Sequence, residues 1–152
     1  ENNRNKGTII MIIGIGCDHA AFTEKSLLVS YLKDNKYDVV DFGCDSNDSV
    51  DYPDYAHLLS KELINQKIDM GILICGSGIG ISIAANKNKG IRAALCCTTF
   101  HAEMSRKHND ANIIAFGARV TDIKSMYRMT DIFFNTEFEG GRHSIRVNKI
   151  EE

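Results

Sequence analysis

Residues 72–87 read ILICGSGIGISIAANK and join an apolar run, a loop with three glycines and a second apolar stretch. The first run is short and rich in isoleucine and leucine, which predicts a strand buried on both faces of a sheet. The stretch after the loop is predicted to be a helix. A strand, a glycine loop and a helix in this order form one βα unit, so the segment indicates an α/β fold.

The same alternation extends over the rest of the chain. Predicted strands cover residues 9–17, 38–42, 70–75, 91–97 and 112–116, and predicted helices cover residues 20–36, 53–66, 79–87, 100–107 and 122–134, with a last helix after Gly141. Strands that alternate with helices favour a parallel sheet with right-handed crossovers. We therefore predict a single three-layer α/β/α Rossmann-like domain with a five-stranded parallel sheet.

Length and composition limit the class of protein. The chain has 152 residues, of which 43% are hydrophobic and 25% are charged, as in an ordinary soluble globular protein. The net charge of −2 argues against a nucleic-acid partner. No apolar run approaches the roughly 20 residues that cross a bilayer, so no membrane partner is expected. Residues 1–8 are interpreted as a polar arm or an expression remnant, and residues 9–152 as the domain with its C-terminal helix.

The chain has five cysteines, an odd number, and no Cys-x-x-Cys spacing. This usage predicts reduced thiols in a cytoplasmic protein. Cys17, Cys44, Cys96 and Cys97 are interpreted as small buried hydrophobic side chains. Cys75 differs because it stands where a strand ends and the glycine loop begins.

Polar residues follow the predicted strands at their carboxyl ends, the edge at which ligands bind in parallel sheets. The glycine loop itself is not a G-x-G-x-x-G fingerprint, because the last glycine comes one residue early, and no G-K-[ST] follows it. Glycines at a helix N-terminus favour an anion or an oxyanion, or they simply permit tight packing. A thiolate at Cys75 beside an oxyanion hole would suit proton abstraction next to a carbonyl. A buried structural thiol is the alternative.

Other polar residues also allow two interpretations. Asp18 can cap a helix, and His19 can bind phosphate or move a proton. His108 lies in a polar turn but can accept and donate a proton near neutral pH. Arg142 and Arg146 share one helix face, which is either solvated or part of a phosphate clamp.

Five motifs in sequence order link these residues: GCDHAA (16–21), DYPDYA (51–56), ICGSGIGISIAANK (74–87), RKHNDANIIAFGAR (106–119) and EGGRHSIRV (139–147). Together they resemble the ribose-5-phosphate isomerase B family, which includes galactose-6-phosphate and allose-6-phosphate isomerases. The match covers nearly the whole chain, from about residue 9 to residue 149.

The resemblance implies an aldose–ketose isomerase of the pentose phosphate pathway that needs no metal and no cofactor. Ribose 5-phosphate and ribulose 5-phosphate would interconvert through a cis-enediolate. The resemblance implies Cys75 as the base, Ser77 as a catalytic contact to the substrate oxygens, and His108 as the group that aids ring opening. Some members use a glutamate farther along the loop, but Ile79 stands there in this chain. The implied substrate-binding residues are Asp18, His19, Asp51, Tyr52, Gly76, Gly78, Gly80, Asn109, Arg119, Arg142 and Arg146.

The resemblance further implies a homodimer or a dimer of dimers with pockets shared between subunits, and a small sugar phosphate as the ligand. Three alternatives stay open at this point. The protein could isomerise a six-carbon sugar phosphate, such as allose 6-phosphate or galactose 6-phosphate. It could be a nucleotide-binding α/β module without catalysis. It could also be a thiol redox protein, with Cys17 or Cys44 as the partner of Cys75.

Overall fold

The structure is a computed structural model, and it describes residues 10–152. The polar segment 1–8 and the first residue of the first predicted strand lie outside the described residues. The strands are β1 (Ile12–Cys17), β2 (Asp38–Asp41), β3 (Met70–Cys75), β4 (Ala93–Leu95) and β5 (Ile113–Gly117). The helices are α1 (Phe22–Asp34), α2 (Tyr52–Ile64), α3 (Ile79–Asn86), α4 (Thr99–Lys107), α5 (Ile123–Asn135) and α6 (Arg142–Asn148).

The five strands form one parallel sheet in the order β2-β1-β3-β5-β4. Because all strands run the same way, their carboxyl ends lie along one edge and their amino ends along the other. At the carboxyl edge Cys75, the last residue of β3, pairs with Gly117, the last residue of β5. The predicted five-stranded parallel sheet is confirmed, while the strand order comes from the structure alone.

The sheet is covered on both faces, as its apolar strands require. Successive side chains of a strand point to opposite faces, so β3 contributes to two separate cores. Ile72 and Ile74 pack on the face that carries α1, α4 and α5, where Phe133 is among the largest buried side chains. Leu73 and Cys75 pack on the face that carries α2 and α3. Helices thus cover both faces of the sheet, which confirms the predicted three-layer arrangement.

The structure differs from the sequence prediction at several element ends. The fourth strand is predicted over residues 91–97 but extends only over Ala93–Leu95, because it lies at the sheet edge and pairs with β5 alone. On its open side, the Asn86 side-chain amide accepts a hydrogen bond from the Ala93 N–H and donates one to the Ala93 carbonyl. Cys97 is exposed, so the prediction of a buried thiol there is wrong. Within residues 10–152, no helix combines the length and apolarity that a membrane crossing needs.

Candidate active site

The glycine loop between β3 and α3 brings backbone N–H groups to the thiol of Cys75. The Gly78 N–H donates a hydrogen bond to the Cys75 Sγ at 3.1 Å, and the Ile79 N–H donates to the Ser77 Oγ at 3.1 Å. Gly78 has φ +78°, and a Cβ there would lie 2.8 Å from the backbone carbonyl carbon of Phe116. Only glycine fits this position, so the loop sits directly on β5.

Arg119 and Tyr52 cover the loop from two sides. The Arg119 N–H donates to the Gly76 carbonyl at 3.0 Å, and the Arg119 guanidinium lies 2.9 Å from where a Gly76 Cβ would stand. The Tyr52 ring lies 2.6 Å from where a Gly80 Cβ would stand. These glycines therefore permit a cation and a phenol to approach the loop closely.

Asp18 and His19 follow β1 at the same edge. The buried Asp18 carboxylate accepts a hydrogen bond from the Ala20 N–H at 3.0 Å and caps the short 3₁₀ turn His19–Ala21, so its capping role is confirmed. The Val50 N–H lies 3.1 Å from His19 Nδ1, which holds the ring and leaves Nε2 for another partner. Asp51 directly precedes α2. Its side chain is exposed and forms no capping hydrogen bond with that helix.

The buried cysteines other than Cys75 do not share its face of the sheet. Cys17 and Cys44 approach each other to 3.8 Å between their sulfurs, but they belong to the core under α1 and α5. Burial raises the pKa of the Cys17 thiol, which keeps it protonated. Because the sheet separates this pair from Cys75, the thiol redox alternative has no structural support.

His108 lies at the opposite edge of the sheet. It ends α4 and precedes β5, whose last residue is the partner of Cys75. The five residues of β5 span about 13 Å, so one chain holds the two predicted catalytic side chains at opposite ends of the sheet.

The turn that carries His108 is held by two arginines. The buried Arg106 donates from Nη1 to the Asp110 carboxylate at 2.9 Å and to the Ala111 carbonyl at 2.6 Å. Arg92 donates from Nε to the Asp110 carbonyl at 2.9 Å. Asp110 itself has φ +47°. These contacts fix the backbone next to His108.

His108 stacks on His143, the second residue of α6, with ring centroids 4.2 Å apart and planes 11° from parallel. His108 Nε2 also lies 3.8 Å from a carboxylate oxygen of Glu139. Burial lowers the pKa of His143, and the neighbouring His108 and Arg142 lower it further.

A cavity of about 360 Å³ lies beside this histidine pair, with Asn109 and Arg146 in its lining. Arg142 stands one helical turn before Arg146 on α6, so both guanidiniums are carried by the same short helix. The predicted site residues thus form two groups. The carboxyl-edge group is Asp18, His19, Asp51, Tyr52, Cys75, Gly76, Ser77, Gly78, Gly80 and Arg119, and the amino-edge group is His108, Asn109, Arg142 and Arg146.

Sequence reasoning missed Glu139 as a neighbour of His108. The two residues are far apart in the chain, and they meet because the Glu139 N–H donates to the Lys107 carbonyl at 3.1 Å. The only local signal is the Gly140–Gly141 pair, with φ +69° and +58°, which turns the chain from this contact into α6. A thiol beside backbone donors and a histidine beside basic groups are suited to proton transfer on an anionic substrate.

Known proteins resemble this chain in sequence and in structure. The family described as Ribose/Galactose Isomerase matches residues 13–150. Ribose-5-phosphate isomerase B of Escherichia coli strain K12 is 44% identical over 138 residues, which cover 91% of this chain and 93% of that protein.

Two solved structures are similar to this chain over nearly the same share of its length. Ribose-5-phosphate isomerase B of Clostridium thermocellum superposes with a TM-score of 0.92 at 48% identity, covering 93% of this chain and 95% of that one. The enzyme from Thermotoga maritima, a ribose 5-phosphate isomerase, has a TM-score of 0.92 at 43% identity, with 93% and 97% covered. Because the family model matches residues 13–150 and these relatives are more than 40% identical over more than nine tenths of the chain, the chain belongs to the ribose/galactose isomerase family.

Proposed function

We propose that this protein is an aldose–ketose isomerase that interconverts ribose 5-phosphate and ribulose 5-phosphate through a cis-enediolate. The observation that carries the proposal is the Cys75 thiol at the head of α3, with the Gly78 N–H 3.1 Å from its sulfur. The relatives named above are ribose-5-phosphate isomerases, which supports a five-carbon substrate.

Cys75 is the base in this proposal. Its thiolate removes the proton from C2 of the open-chain aldose and returns it to C1, while the proton on the C2 hydroxyl moves to the C1 oxygen. The Gly78 N–H donates to the sulfur, and the first-turn N–H groups of α3 lie where negative charge develops on the enediolate oxygens. Ser77, two residues after Cys75 in the loop, is exposed and contacts the same oxygens.

His108 aids opening of the furanose ring, and Asn109 contacts the sugar beside it. Because one chain holds Cys75 and His108 at opposite edges of its sheet, we place a complete pocket between two copies of the chain. Asp18, Asp51 and Tyr52 bind the sugar hydroxyls from the carboxyl edge. His19 and Arg119 there, together with Arg142 and Arg146 from the amino edge of the second copy, clamp the phosphate.

Exposed apolar side chains support a shared pocket. Ile79 and Ile83 lie on the outer face of α3, directly after the glycine loop, and more than half of each side chain is exposed. Val120 next to Arg119 and Ile145 on α6 are each 64% exposed. Apolar groups next to both halves of the site are typical of an interface that a second subunit covers. Free thiols at all five cysteines support a reducing compartment such as the cytoplasm.

The decisive experiment mixes the purified protein with ribose 5-phosphate and EDTA and measures ribulose 5-phosphate. We expect turnover by the wild type and a loss of about 10²–10⁴ in kcat for Cys75→Ala, the range of general-base catalysis. Cys97→Ala, which removes an exposed thiol, is the matched control and should keep full activity. An active Cys75→Ala would show that another base moves the proton. If the wild type does not convert ribose 5-phosphate but isomerises allose 6-phosphate or galactose 6-phosphate, the five-carbon assignment is overturned.

A further inference from the structure

Three side chains of metal-binding type converge at the amino edge of the sheet. One ligand atom from each of His108, Glu139 and His143 lies within 4.8 Å of the other two. The three residues come from the end of α4, from the loop between α5 and α6, and from the first turn of α6. Two imidazoles and one carboxylate are a ligand set that Zn²⁺ accepts, with room for a fourth ligand from solvent.

We propose that His108, Glu139 and His143 form a binding site for Zn²⁺ or a similar borderline-soft divalent cation, and that the bound ion inhibits the enzyme. The binding half of this proposal stands on the cluster alone. The inhibitory half rests on the proposed role of His108, because an ion on its ring nitrogen occupies the lone pair that proton transfer needs.

The backbone places the three ligands firmly. The Glu139 N–H donates to the Lys107 carbonyl at 3.1 Å, which ties the carboxylate to the residue before His108. The His143 N–H donates to the Gly140 carbonyl at 3.1 Å, which ties the second imidazole to the same loop. The three Cα positions therefore stay close whether or not an ion is bound.

Binding needs side-chain rotation but no backbone change. Ligand bonds of 2.0–2.2 Å in a tetrahedral site put ligand atoms about 3.3 Å apart, so each atom has to move by roughly 1 Å. The near-parallel rings of His108 and His143 must also splay, because stacked rings direct their lone pairs side by side. The His108 and Glu139 side chains are 40% and 50% exposed and can rotate, while the buried His143 serves as the fixed ligand.

The surrounding charges select the kind of ion. Arg142 and Arg146 lie on the same helix as His143 and oppose a dication, and Glu139 alone contributes a compensating charge in the cluster. A hard ion such as Mg²⁺, which depends on oxygen ligands and charge, is disfavoured here. Zn²⁺ and Co²⁺ bind well to imidazole nitrogen.

The test uses Co²⁺ as a spectroscopic probe on the full chain, freed of metal with EDTA and then desalted. All proteins carry Cys97→Ala, since exposed Cys97 and neighbouring His101 could bind a metal independently. We expect a saturable absorption band of tetrahedral Co²⁺ at one ion per chain. Loss of even an outer-shell partner weakens metal binding about 10–100-fold, so Glu139→Gln should weaken it at least tenfold, as should His143→Asn.

Glu137→Gln is the matched control, because it removes the same charge from the same exposed loop without removing a ligand. Absence of a saturable band, or equal Co²⁺ affinity in Glu139→Gln and Glu137→Gln, would overturn the site.

A second arm measures isomerase activity during a Zn²⁺ titration. Activity should fall over the same Zn²⁺ concentrations that displace Co²⁺, and EDTA should restore it. Displacement of Co²⁺ without loss of activity would overturn the inhibitory role. A protein that binds Co²⁺ but isomerises no sugar phosphate would contradict the proposed function and leave the metal site established.

Discussion

Cys75 combines two properties that a thiol rarely has together. It is 4% exposed, yet a backbone N–H of the glycine loop donates to its sulfur. Burial restricts the access of bulk oxidants to the sulfur, while the backbone N–H presents a hydrogen-bond donor to it. A strand end beside a helix N-terminus is one of the few places in a fold that provides both.

Gly78 is predicted to be intolerant of any side chain. Gly78→Ala places a Cβ 2.8 Å from the carbonyl carbon of Phe116 at φ +78°. We expect the variant to lose stability, by about 1–2 kcal/mol from the left-handed backbone and about 1–3 kcal/mol from overpacking. Urea unfolding measures this loss.

Gly90→Ala separates these two contributions. Gly90 has φ +88°, but no heavy atom lies within 4 Å of its added Cβ. The free energy of unfolding of this variant should therefore decrease only by the backbone strain, which is about 1–2 kcal/mol. Equal losses for the two variants would show that the close approach to β5 contributes nothing.

His143 predicts a pH dependence of stability. Burial, His108 and Arg142 hold its pKa below the ordinary 6.5 in the folded protein. The unfolded chain therefore binds more protons as the pH falls through 6.5, and the free energy of unfolding decreases in that range. Because His143→Asn removes this contribution, its Tm should fall less than that of the wild type between pH 7.5 and pH 5.5. A steeper fall in the variant would contradict the lowered pKa.

At the scale of elements, α5 begins at a well-formed N-cap. The Ser125 N–H donates to the Asp122 carboxylate at 2.8 Å. Asp122→Ala should cost about 1 kcal/mol of stability, which thermal unfolding would register as a Tm lower by about 3 °C.

Asp122→Asn keeps a side-chain acceptor at the same position and serves as the paired variant. It should retain most of the stability, because asparagine caps helices as well as aspartate does. A loss as large as that of the alanine variant would mean that charge, rather than the hydrogen bond, stabilises the start of α5.

At the scale of the whole molecule, the separation of Cys75 and His108 predicts complementation between inactive variants. Cys75→Ala and His108→Asn should each be inactive alone. After the two are mixed and allowed to exchange subunits, half of the dimers are mixed, and each mixed dimer has one intact site of two. Activity should therefore recover to about a quarter of the wild-type value.

The double variant Cys75→Ala/His108→Asn mixed with wild type is the companion measurement. In that mixture a mixed dimer of shared pockets has no intact site, so activity per wild-type subunit should fall by about half. If each chain instead carries its own complete site, the first mixture stays inactive and the second shows no such fall.

Local sequence patterns are sufficient to predict most helices and strands, because the spacing of apolar residues and the position of glycines are properties of short segments. Residues 70–75 were predicted as a strand and form β3 over the same residues, since both faces of this run are buried. The edge strand β4 was predicted too long because edge pairing, rather than composition, ends it. The exposure of Cys97 was also unpredictable, since it depends on which neighbours cover the end of that strand.

The sequence alone determined the α/β class, the parallel sheet and the glycine loop at Cys75, because each depends on patterns within short segments. Five such segments in order carried the family resemblance. Only the tertiary structure decided the strand order, the placement of Cys75 and His108 at opposite edges, and the cluster of His108, Glu139 and His143. These features join residues from separate elements. Their distances follow from how helices pack on a twisted sheet, which no local pattern encodes.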